Sequence, residues 1–227
     1  MRRLLPLLLL MTSACTRPTR VHPIDGLTYV QIPAGTFSFG CSADDKDCYE
    51  WEPTVQPRQI KTAFWIGQTE VTQRAYNFVL GTNPSMYPGE NRPVDQVSWN
   101  DAKRYCQALG MRLPTSVEWE YAARAGIATP RYGALSDIAW SDANSSDTTH
   151  EVGQKQPNAF GLYDTLGNLW EWVADPYAAD PSKDQRQLRG GAFTGIPRDL
   201  RASNLNWATP ETAHRNMGFR CAADSLP

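Results

Sequence analysis

Residues 157–172 read PNAFGLYDTLGNLWEW, and they give the clearest indication of the fold. Glycine, proline, asparagine and aspartate are spread through it, and its apolar residues keep neither the helical nor the strand period. Irregular backbone of this kind is stabilised by disulfides, metal ions or buried aromatic side chains. The stretch therefore predicts a loop-rich domain whose binding sites lie in turns rather than on long helices.

The segments on either side of this stretch predict short strands and short helices. Strands are predicted at residues 27–32, 36–39, 60–66, 187–193 and 218–222. Helices are predicted at residues 73–80, 101–109 and 115–125. The third helix opens with a capping box from Thr115 to Glu118. Glu120 is expected to pair with Arg124, four residues later on the same helix. The predicted fold class is α+β, in a chain of 227 residues.

Several short motifs follow one another in a fixed order. They are IPAGTF at 32–37, EVT at 70–72, PVDQVSW at 93–99, RLPTSVEWEYA at 112–122, PNAFGLYD at 157–164, GNLWEW at 167–172, RGG at 189–191 and GFR at 218–220. Together they resemble the formylglycine-generating-enzyme (sulfatase-modifying factor) family over residues 27–223. The resemblance implies a C-type-lectin-like variant fold with small antiparallel sheets, two to three helices and much irregular backbone.

The beginning of the chain predicts export. Arg2 and Arg3 precede a short apolar run, and small residues lead up to Cys15. The cysteine is in register for lipidation, which would attach the protein to the inner leaflet of the outer membrane. Cleavage without a lipid is the alternative. The expected location is therefore the periplasm, with outer-membrane anchoring through Cys15.

The domain boundaries follow from this reading. Residues 1–14 are interpreted as a signal sequence, 15–26 as a polar tether and 27–227 as one formylglycine-generating-enzyme-like domain. The formal net charge is −2, and it becomes −4 without the two arginines of the signal sequence. A mildly acidic chain with mixed charges lacks the basic surface that nucleic-acid binding requires.

Four cysteines remain in the predicted mature chain: Cys41, Cys48, Cys106 and Cys221. They contain no C-x2-C pair, and export disfavours zinc, so two disulfides are expected. Four cysteines allow three pairings, and the residues alone do not choose among them. In family members with cysteines at both places, the equivalents of Cys106 and Cys221 are bridged. The resemblance thus selects this pair and leaves Cys41 with Cys48.

The family's catalytic thiols have no counterpart in this chain. The resemblance implies that these thiols bind copper in family members and oxidise a cysteine of a peptide. Their positions correspond to Gly195 and to a position near Leu200 in this chain. The serine of the preceding motif is Ala192. Cu(I) needs thiolate or thioether ligands, and Met217 is the nearest of these in the sequence. A non-catalytic protein is therefore expected.

A structural calcium ion is expected in the turn at residues 164–171. Family members bind calcium here through the side chains equivalent to Asp164 and Glu171 and the backbone oxygens of Gly167 and Leu169. The oxygen-rich residue types suit calcium. The alternative is that both carboxylates only accept hydrogen bonds from turn amides. A second family site would begin at Asn144.

The segment around Trp207 is the predicted partner-binding face. By resemblance to lectin-like folds it lines the ligand face, and Leu205 replaces an arginine that is usual in the family. Trp207, Leu205 and Asn206 are therefore candidate contacts with a protein partner. A packed tryptophan is the alternative interpretation.

The functional expectation is a periplasmic regulatory module that binds a protein of the cell envelope. Exported members of the family suggest a role upstream of a transmembrane threonine kinase that controls type VI secretion. The alternative is a metal-dependent oxidase or oxygenase that uses a site without cysteine. His22, His150 and His214 show no metal-ligand spacing, so they give this alternative little support.

Overall fold

The computed structural model describes residues 17–42, 44–177 and 183–227. The predicted signal sequence and Cys15 lie outside these residues. The described strands are β1 (Thr19–Val21), β2 (Thr28–Ile32), β3 (Gly35–Phe39), β4 (Gln56–Ile60), β5 (Phe64–Gly67), β6 (Trp170–Pro176), β7 (Arg186–Arg189), β8 (Leu205–Ala208), β9 (Met217–Gly218) and β10 (Ala222–Ala223). The helices are α1 (Gln73–Leu80), α2 (Trp99–Ala108), α3 (Ser116–Arg124) and the single turn α4 (Leu135–Ile138). This is the α+β architecture expected from the sequence.

The strands form three small sheets. The first has the order β1-β2-β5-β10 and is antiparallel, so it joins both ends of the described chain. The second is the hairpin β3-β4. The third has the order β8-β7-β6-β9, in which only the β6-β9 pairing is parallel. Consecutive strands pair in β1-β2, β3-β4, β6-β7 and β7-β8, whereas β5, β9 and β10 pair with strands that are distant in sequence.

The helices begin where side-chain caps are available. Thr72 caps α1, and capping boxes formed by Ser98 with Asp101 and by Thr115 with Glu118 open α2 and α3. Such a cap replaces backbone acceptors that the first turn lacks. The predicted bounds of α1 and the predicted cap of α3 are confirmed. Helix α2 begins at Trp99 rather than at Asp101, because Ser98 is its cap.

Several predicted strands were wrong in length. Residues 60–66 form the end of β4 and the start of β5 with a break between them, rather than one strand. Residues 187–193 and 218–222 form shorter strands than predicted, and β9 and β10 belong to different sheets. Strands β6 and β8 were not predicted, because their residues alternate too briefly to show a period.

Part of the predicted tether belongs to the domain. Residues 19–21 pair with β2, and Asp25 accepts hydrogen bonds from the hydroxyls of Tyr29 and Tyr105 at 2.9 and 3.1 Å. His22 follows β1 and is almost fully buried. The chain is therefore fixed to the first sheet several residues before the predicted domain boundary.

The main core lies between α1, α2 and the first and third sheets. Its centre contains Tyr76, Tyr105 and Phe219, with parallel tyrosine rings whose centroids are 5.5 Å apart. The Cys106–Cys221 disulfide lies in the same cluster. Within the described residues, no helix has the length and apolar character needed to cross a membrane.

Candidate functional site

The two positions that correspond to the family's thiols are neighbours in space. An ideal Cβ on Gly195 would lie 2.7 Å from Cδ1 of Leu200. Leu200 is fully buried and packs in a cluster with Ile138, Ala139 and Leu166. A leucine side chain therefore occupies the space beside Gly195, and it offers no atom that could ligate a metal.

The cysteine sulfur atoms of the described residues are bound in two disulfides, and the remaining sulfur belongs to methionines. Cys41 is bridged to Cys48 and Cys106 to Cys221, with Cα–Cα distances of 6.0 and 5.6 Å. Asp45 lies close to the first bridge, but bridged sulfurs are not thiolates and do not bind metal as such. None of the described cysteines has a free thiol.

A buried cluster of charged side chains lies beneath the turn at residues 164–171. Arg220 donates from Nε and Nη2 to the two carboxylate oxygens of Glu171, each at 2.7 Å. The indole Nε1 of Trp119 donates to the same carboxylate at 2.8 Å. Arg220 and Glu171 are completely buried. The GFR motif thus supplies the counter-ion for the glutamate of the GNLWEW motif.

Two further carboxylates, Glu70 and Asp164, share this buried region. Glu70 accepts hydrogen bonds from the Leu169 amide at 2.9 Å and from the Asn168 side chain at 2.7 Å. Burial, followed by the charges of Asp164 and Glu171, raises the pKa of Glu70 well above its usual range. Burial likewise raises the pKa of Asp164 to about 6. Three carboxylates therefore surround one arginine, an arrangement that favours an added cation or proton.

At this turn one oxygen of Asp164 has no hydrogen-bond partner, whereas both oxygens of Glu171 accept hydrogen bonds from Arg220. Oδ2 of Asp164 accepts a hydrogen bond from the Gly153 amide at 2.7 Å, whereas Oδ1 is buried and has no hydrogen-bond partner. A buried oxygen without a partner, next to excess negative charge, matches the hard-oxygen preference of calcium. Gly167 has a φ of 83°, and a Cβ there would lie 2.2 Å from the Trp140 carbonyl oxygen. Glycine is therefore required to bring the backbone of this turn into place.

At the predicted second calcium site, the side chain of Asn144 already forms hydrogen bonds within its own loop. Asn144 accepts a hydrogen bond from the Ser141 amide at 2.8 Å and donates to the Ala139 carbonyl at 3.0 Å. Nε2 of His150 lies 2.8 Å from the Ser145 carbonyl oxygen, and its ring stacks on Trp140 with centroids 3.6 Å apart. These contacts account for the loop without a metal, and Asn144 as a ligand stays a prediction.

Trp207 lines an open groove with a volume of about 520 Å³. Its ring stacks on Tyr177 with centroids 3.9 Å apart and meets Trp51 edge to face at 5.7 Å. Trp51 stacks on Tyr49 at 4.3 Å and is 44% exposed. We call this surface the aromatic groove; it is lined by Glu50, Trp51, Pro53, Tyr177, Gln187, Leu205 and Trp207.

The segment that follows the Cys41–Cys48 bridge forms one wall of the aromatic groove, through Glu50, Trp51 and Pro53. The Trp51 indole donates to the Leu205 carbonyl at 3.2 Å, and the Tyr49 hydroxyl donates to Asp199 at 2.8 Å. Arg201 is completely buried and forms ion pairs with Asp45 and with Glu52. The disulfide loop and the segment after Gly195 are therefore locked together.

The three predicted partner contacts differ in exposure. Trp207 and Asn206 are half-buried and present part of their surface to solvent, whereas Leu205 is only 4% exposed. The Asn206 side chain accepts a hydrogen bond from the Trp207 amide at 2.8 Å. Of the three, Trp207 thus offers the large accessible ring that an anchor residue needs.

The comparisons with known proteins agree with this arrangement of motifs. Residues 17–225 match the family model described as "Sulfatase-modifying factor enzyme 1-like domain". The chain belongs to this family. The sulfatase-modifying factor match begins at residue 17, so it includes β1 and the rest of the segment that the sequence assigned to a tether.

Curated relatives of this sulfatase-modifying factor domain have different names. The chain is 36% identical over 174 residues to formylglycine-generating enzyme of Streptomyces coelicolor, covering 60% of this chain and 54% of that protein. It is 36% identical over 151 residues to inactive C-alpha-formylglycine-generating enzyme 2 of Bos taurus, covering 58% and 50%. It is 37% identical over 220 residues to serine/threonine-protein kinase pkn1 of Chlamydia caviae, covering 89% and 32%. The matches thus span about half or less of each of these relatives.

Solved structures of similar proteins match almost the whole chain. PvdO from Pseudomonas aeruginosa superimposes with a TM-score of 0.81 and 27% identity, covering 92% of this chain and 98% of that one. Treponema denticola variable protein 1 superimposes with a TM-score of 0.78 and 26% identity, covering 92% and 100%. The predicted formylglycine-generating-enzyme-like fold is therefore confirmed.

Sequence reasoning missed the residues whose role depends on distant partners. Glu70 lies in the EVT motif, but the sequence gives no sign that its carboxylate reaches the 164–171 turn. Arg189 belongs to the RGG motif, and the structure places it in a fully buried ion pair with Glu120. An acidic or basic residue inside a family motif was the available signal. The predicted Glu120–Arg124 pair is confirmed, with an N–O distance of 2.8 Å.

Proposed function

We propose that this chain is a non-catalytic binding module that acts on a partner protein in the cell envelope. The observation that carries the proposal is the buried side chain of Leu200 beside Gly195. Copper-dependent oxidation of a peptide cysteine would need soft ligands at these two positions, and leucine and glycine supply none. The relatives named as inactive support a family in which the domain is retained without the chemistry.

The kinase relatives support a regulatory role. A match covering 89% of this chain lies within a protein named as a serine/threonine kinase. In size, export signal and missing thiols the chain also resembles TagR, a periplasmic regulator upstream of the transmembrane threonine kinase that controls type VI secretion. We propose that it acts at the same step. TagR relies on a separate lipoprotein for membrane association, so a lipid on Cys15 would distinguish this chain from it.

The proposed location is the periplasmic face of the outer membrane. The apolar run at residues 4–11 and the small residues before Cys15 support export and lipidation. The two disulfides support the same compartment, because bridges of this kind persist where the environment is oxidising. Intact mass under non-reducing conditions reports the cleavage site and any lipid.

The aromatic groove is the proposed contact with the partner. Trp207→Ala removes the ring that joins the two stacked aromatic pairs, so it is expected to weaken partner recovery from solubilised cell envelopes at least tenfold. The measurement is quantitative mass spectrometry of proteins bound to the purified chain. The expected partner is the ectodomain of a membrane protein.

Phe78→Ala provides the matched control for this experiment. Phe78 lies on α1, is 71% exposed and does not line the groove. Its loss removes an exposed ring without changing the proposed contact. If Phe78→Ala and Trp207→Ala recover the partner equally well while both stay folded, the groove is not the contact. If the wild-type chain recovers no specific partner, the proposed function is wrong.

Calcium is the proposed structural cofactor at the 164–171 turn. Asp164 and Glu171 would hold it with the backbone oxygens of Gly167 and Leu169, and its charge would offset the excess of buried carboxylates. The orphaned Oδ1 of Asp164 supports this assignment. The ion would fix irregular backbone, which few regular hydrogen bonds stabilise.

Removal of calcium is expected to lower the thermal midpoint of unfolding. At a free concentration one hundred times its dissociation constant, an ion bound only by the folded state contributes about 3 kcal/mol. This effect should shrink as the pH falls through about 6, because protons then compete for Asp164. The measurement is calorimetry with calcium and with chelator at pH 8 and pH 5.

Asp164→Asn tests the assignment, with the exposed Asp142→Asn as its control. Only the first change should reduce the calcium effect. Metal analysis of the purified protein separates the two candidate functions as well. Stoichiometric copper or iron would favour the metal-dependent oxidase or oxygenase suggested by the enzymatically named relatives, and calcium alone favours the binding module.

A further inference from the structure

Another cavity lies beside α2 and is also lined by residues from the segment 111–115 and by Ala174 of β6. Its volume is about 350 Å³, within the range of small-molecule sites. Its apolar lining includes Trp99, Met111, Leu113 and Ala174. We call it the Trp99 pocket. It shares no lining residue with the aromatic groove, so it is independent of the proposed partner contact.

Hydrogen bonds and burial hold the apolar floor of the Trp99 pocket in place. The indole Nε1 of Trp99 donates to the Val173 carbonyl at 2.8 Å, which fixes the plane of the ring. Trp99 is only 8% exposed, and Leu113 and Met111 are buried in the main core. The Ala174 amide donates to the Pro114 carbonyl at 2.8 Å, which holds the remaining wall. The pocket therefore exists before any ligand enters it.

Positive charge collects at the edge of this floor. The Lys103 ammonium lies 5.0 Å and the Arg186 guanidinium 4.5 Å from the Trp99 ring. Lys103 has no carboxylate within ion-pair distance among the described residues. Arg186 pairs with Asp184 at 3.0 Å, yet its Nε is buried and finds no acceptor. The Lys103 ammonium and the Arg186 guanidinium thus both lie near the Trp99 ring, and among the described residues Lys103 has no carboxylate partner.

The other charged side chains that line the pocket form ion pairs: Arg112 pairs with Glu118 and also with Asp224, which does not line the pocket. Arg112 donates to both oxygens of Glu118, at 2.7 and 2.8 Å. This bidentate pair leaves the Lys103 ammonium as the unpaired charge among the lining residues. A positively charged ligand would meet repulsion here, whereas a negatively charged head group would relieve it.

We propose that the Trp99 pocket binds a small amphipathic carboxylate, with its apolar body on Trp99, Met111 and Leu113 and its carboxylate at Lys103. The apolar floor supplies the burial of the body, and the ammonium supplies the head-group contact. The inference does not depend on the proposed partner contact, because it concerns different residues. It makes the module a receptor for a small ligand in addition to a protein.

Octanoate, 1-octanol and octylamine test the proposal, because they share an apolar body and differ in head-group charge. The readout is the indole N–H signal of Trp99 in ¹⁵N–¹H spectra of the full mature chain, below the micelle concentration. Octanoate should shift this signal in a saturable way. Octanol should bind at least tenfold more weakly, and octylamine should leave the signal unchanged.

Lys103→Met should weaken octanoate binding at least tenfold, because it keeps the apolar stem and removes the charge. Lys155→Met is the matched control, since Lys155 also lies over a tryptophan, Trp140, at 4.0 Å. Ala174→Leu should block the cavity while the lysine remains. Equal binding of octanoate and octanol, an unchanged affinity in Lys103→Met, or no shift of Trp99 would each overturn the proposal.

Discussion

Arg220→Met is expected to lower the free energy of unfolding by about 3–5 kcal/mol, the usual cost of breaking a buried ion pair from one side. Arg220 is completely buried and neutralises Glu171 through two hydrogen bonds. Its guanidinium also donates to the carbonyl oxygens of Gly67 and Tyr163 at 3.1 and 2.9 Å. Methionine fills much of the same volume, so the loss reports charge and hydrogen bonding rather than a cavity.

The cost is large because the neighbouring carboxylates depend on the same arginine. Its charge lowers the pKa values of Glu70 and Asp164, which burial raises. Without it, either three buried carboxylates lack a counter-ion or they must take up protons. Calcium bound at the 164–171 turn would offset part of this loss, so the variant should be measured with and without chelator.

Urea titration at pH 7.5 measures this effect. Arg104→Met is the matched control, because Arg104 is 63% exposed and pairs with Asp101 on the surface of α2. A pair of that kind contributes less than about 1 kcal/mol. Equal effects of the two substitutions would show that the Glu171–Arg220 pair is not the counter-ion arrangement that the structure describes.

Removing the Cys106–Cys221 disulfide is the second large expected effect. The bridge joins residues 115 apart, and the loop-entropy relation gives about 5 kcal/mol for a closure of that length. The Cys41–Cys48 bridge joins residues 7 apart, for which the same relation gives about 2 kcal/mol. Cys106→Ala with Cys221→Ala should therefore destabilise the domain more than Cys41→Ala with Cys48→Ala.

The packing around the long bridge adds to this difference. Cys106 and Cys221 are fully buried in the main core, so alanine leaves apolar space behind. The Cys41–Cys48 loop keeps other contacts when its bridge is lost, because Arg198 donates to the carbonyl oxygens of Asp47 and Cys48 at 2.9 and 2.8 Å.

Thermal unfolding of the two double variants measures which disulfide contributes more to the stability of the domain. Thiol titration of the native wild-type chain accompanies it and should detect no reactive cysteine at positions 41, 48, 106 and 221. A larger effect of the short bridge, or a reactive pair in the native chain, would contradict the structural role assigned to these cysteines.

Features that depend on local contacts, or on an ordered series of motifs, could be predicted from the amino-acid sequence. Thr115 and Glu118 are three residues apart, so their capping box follows from helix geometry alone. Glu120 and Arg124 meet for the same reason. The motifs from residue 32 to residue 220 identified the family, and the absence of cysteine at Gly195 and Leu200 is a fact of the sequence.

Only the tertiary structure decided which distant residues share a site. Trp51 and Trp207 form one groove although 156 positions separate them in the sequence. Glu70 reaches the 164–171 turn, and Arg220 reaches it from the end of the chain. Such contacts have no signature in periodicity, because they depend on how irregular loops pack. Local interactions fix the helices, whereas the long loops, held by buried charge pairs and disulfides, assemble the surfaces that bind.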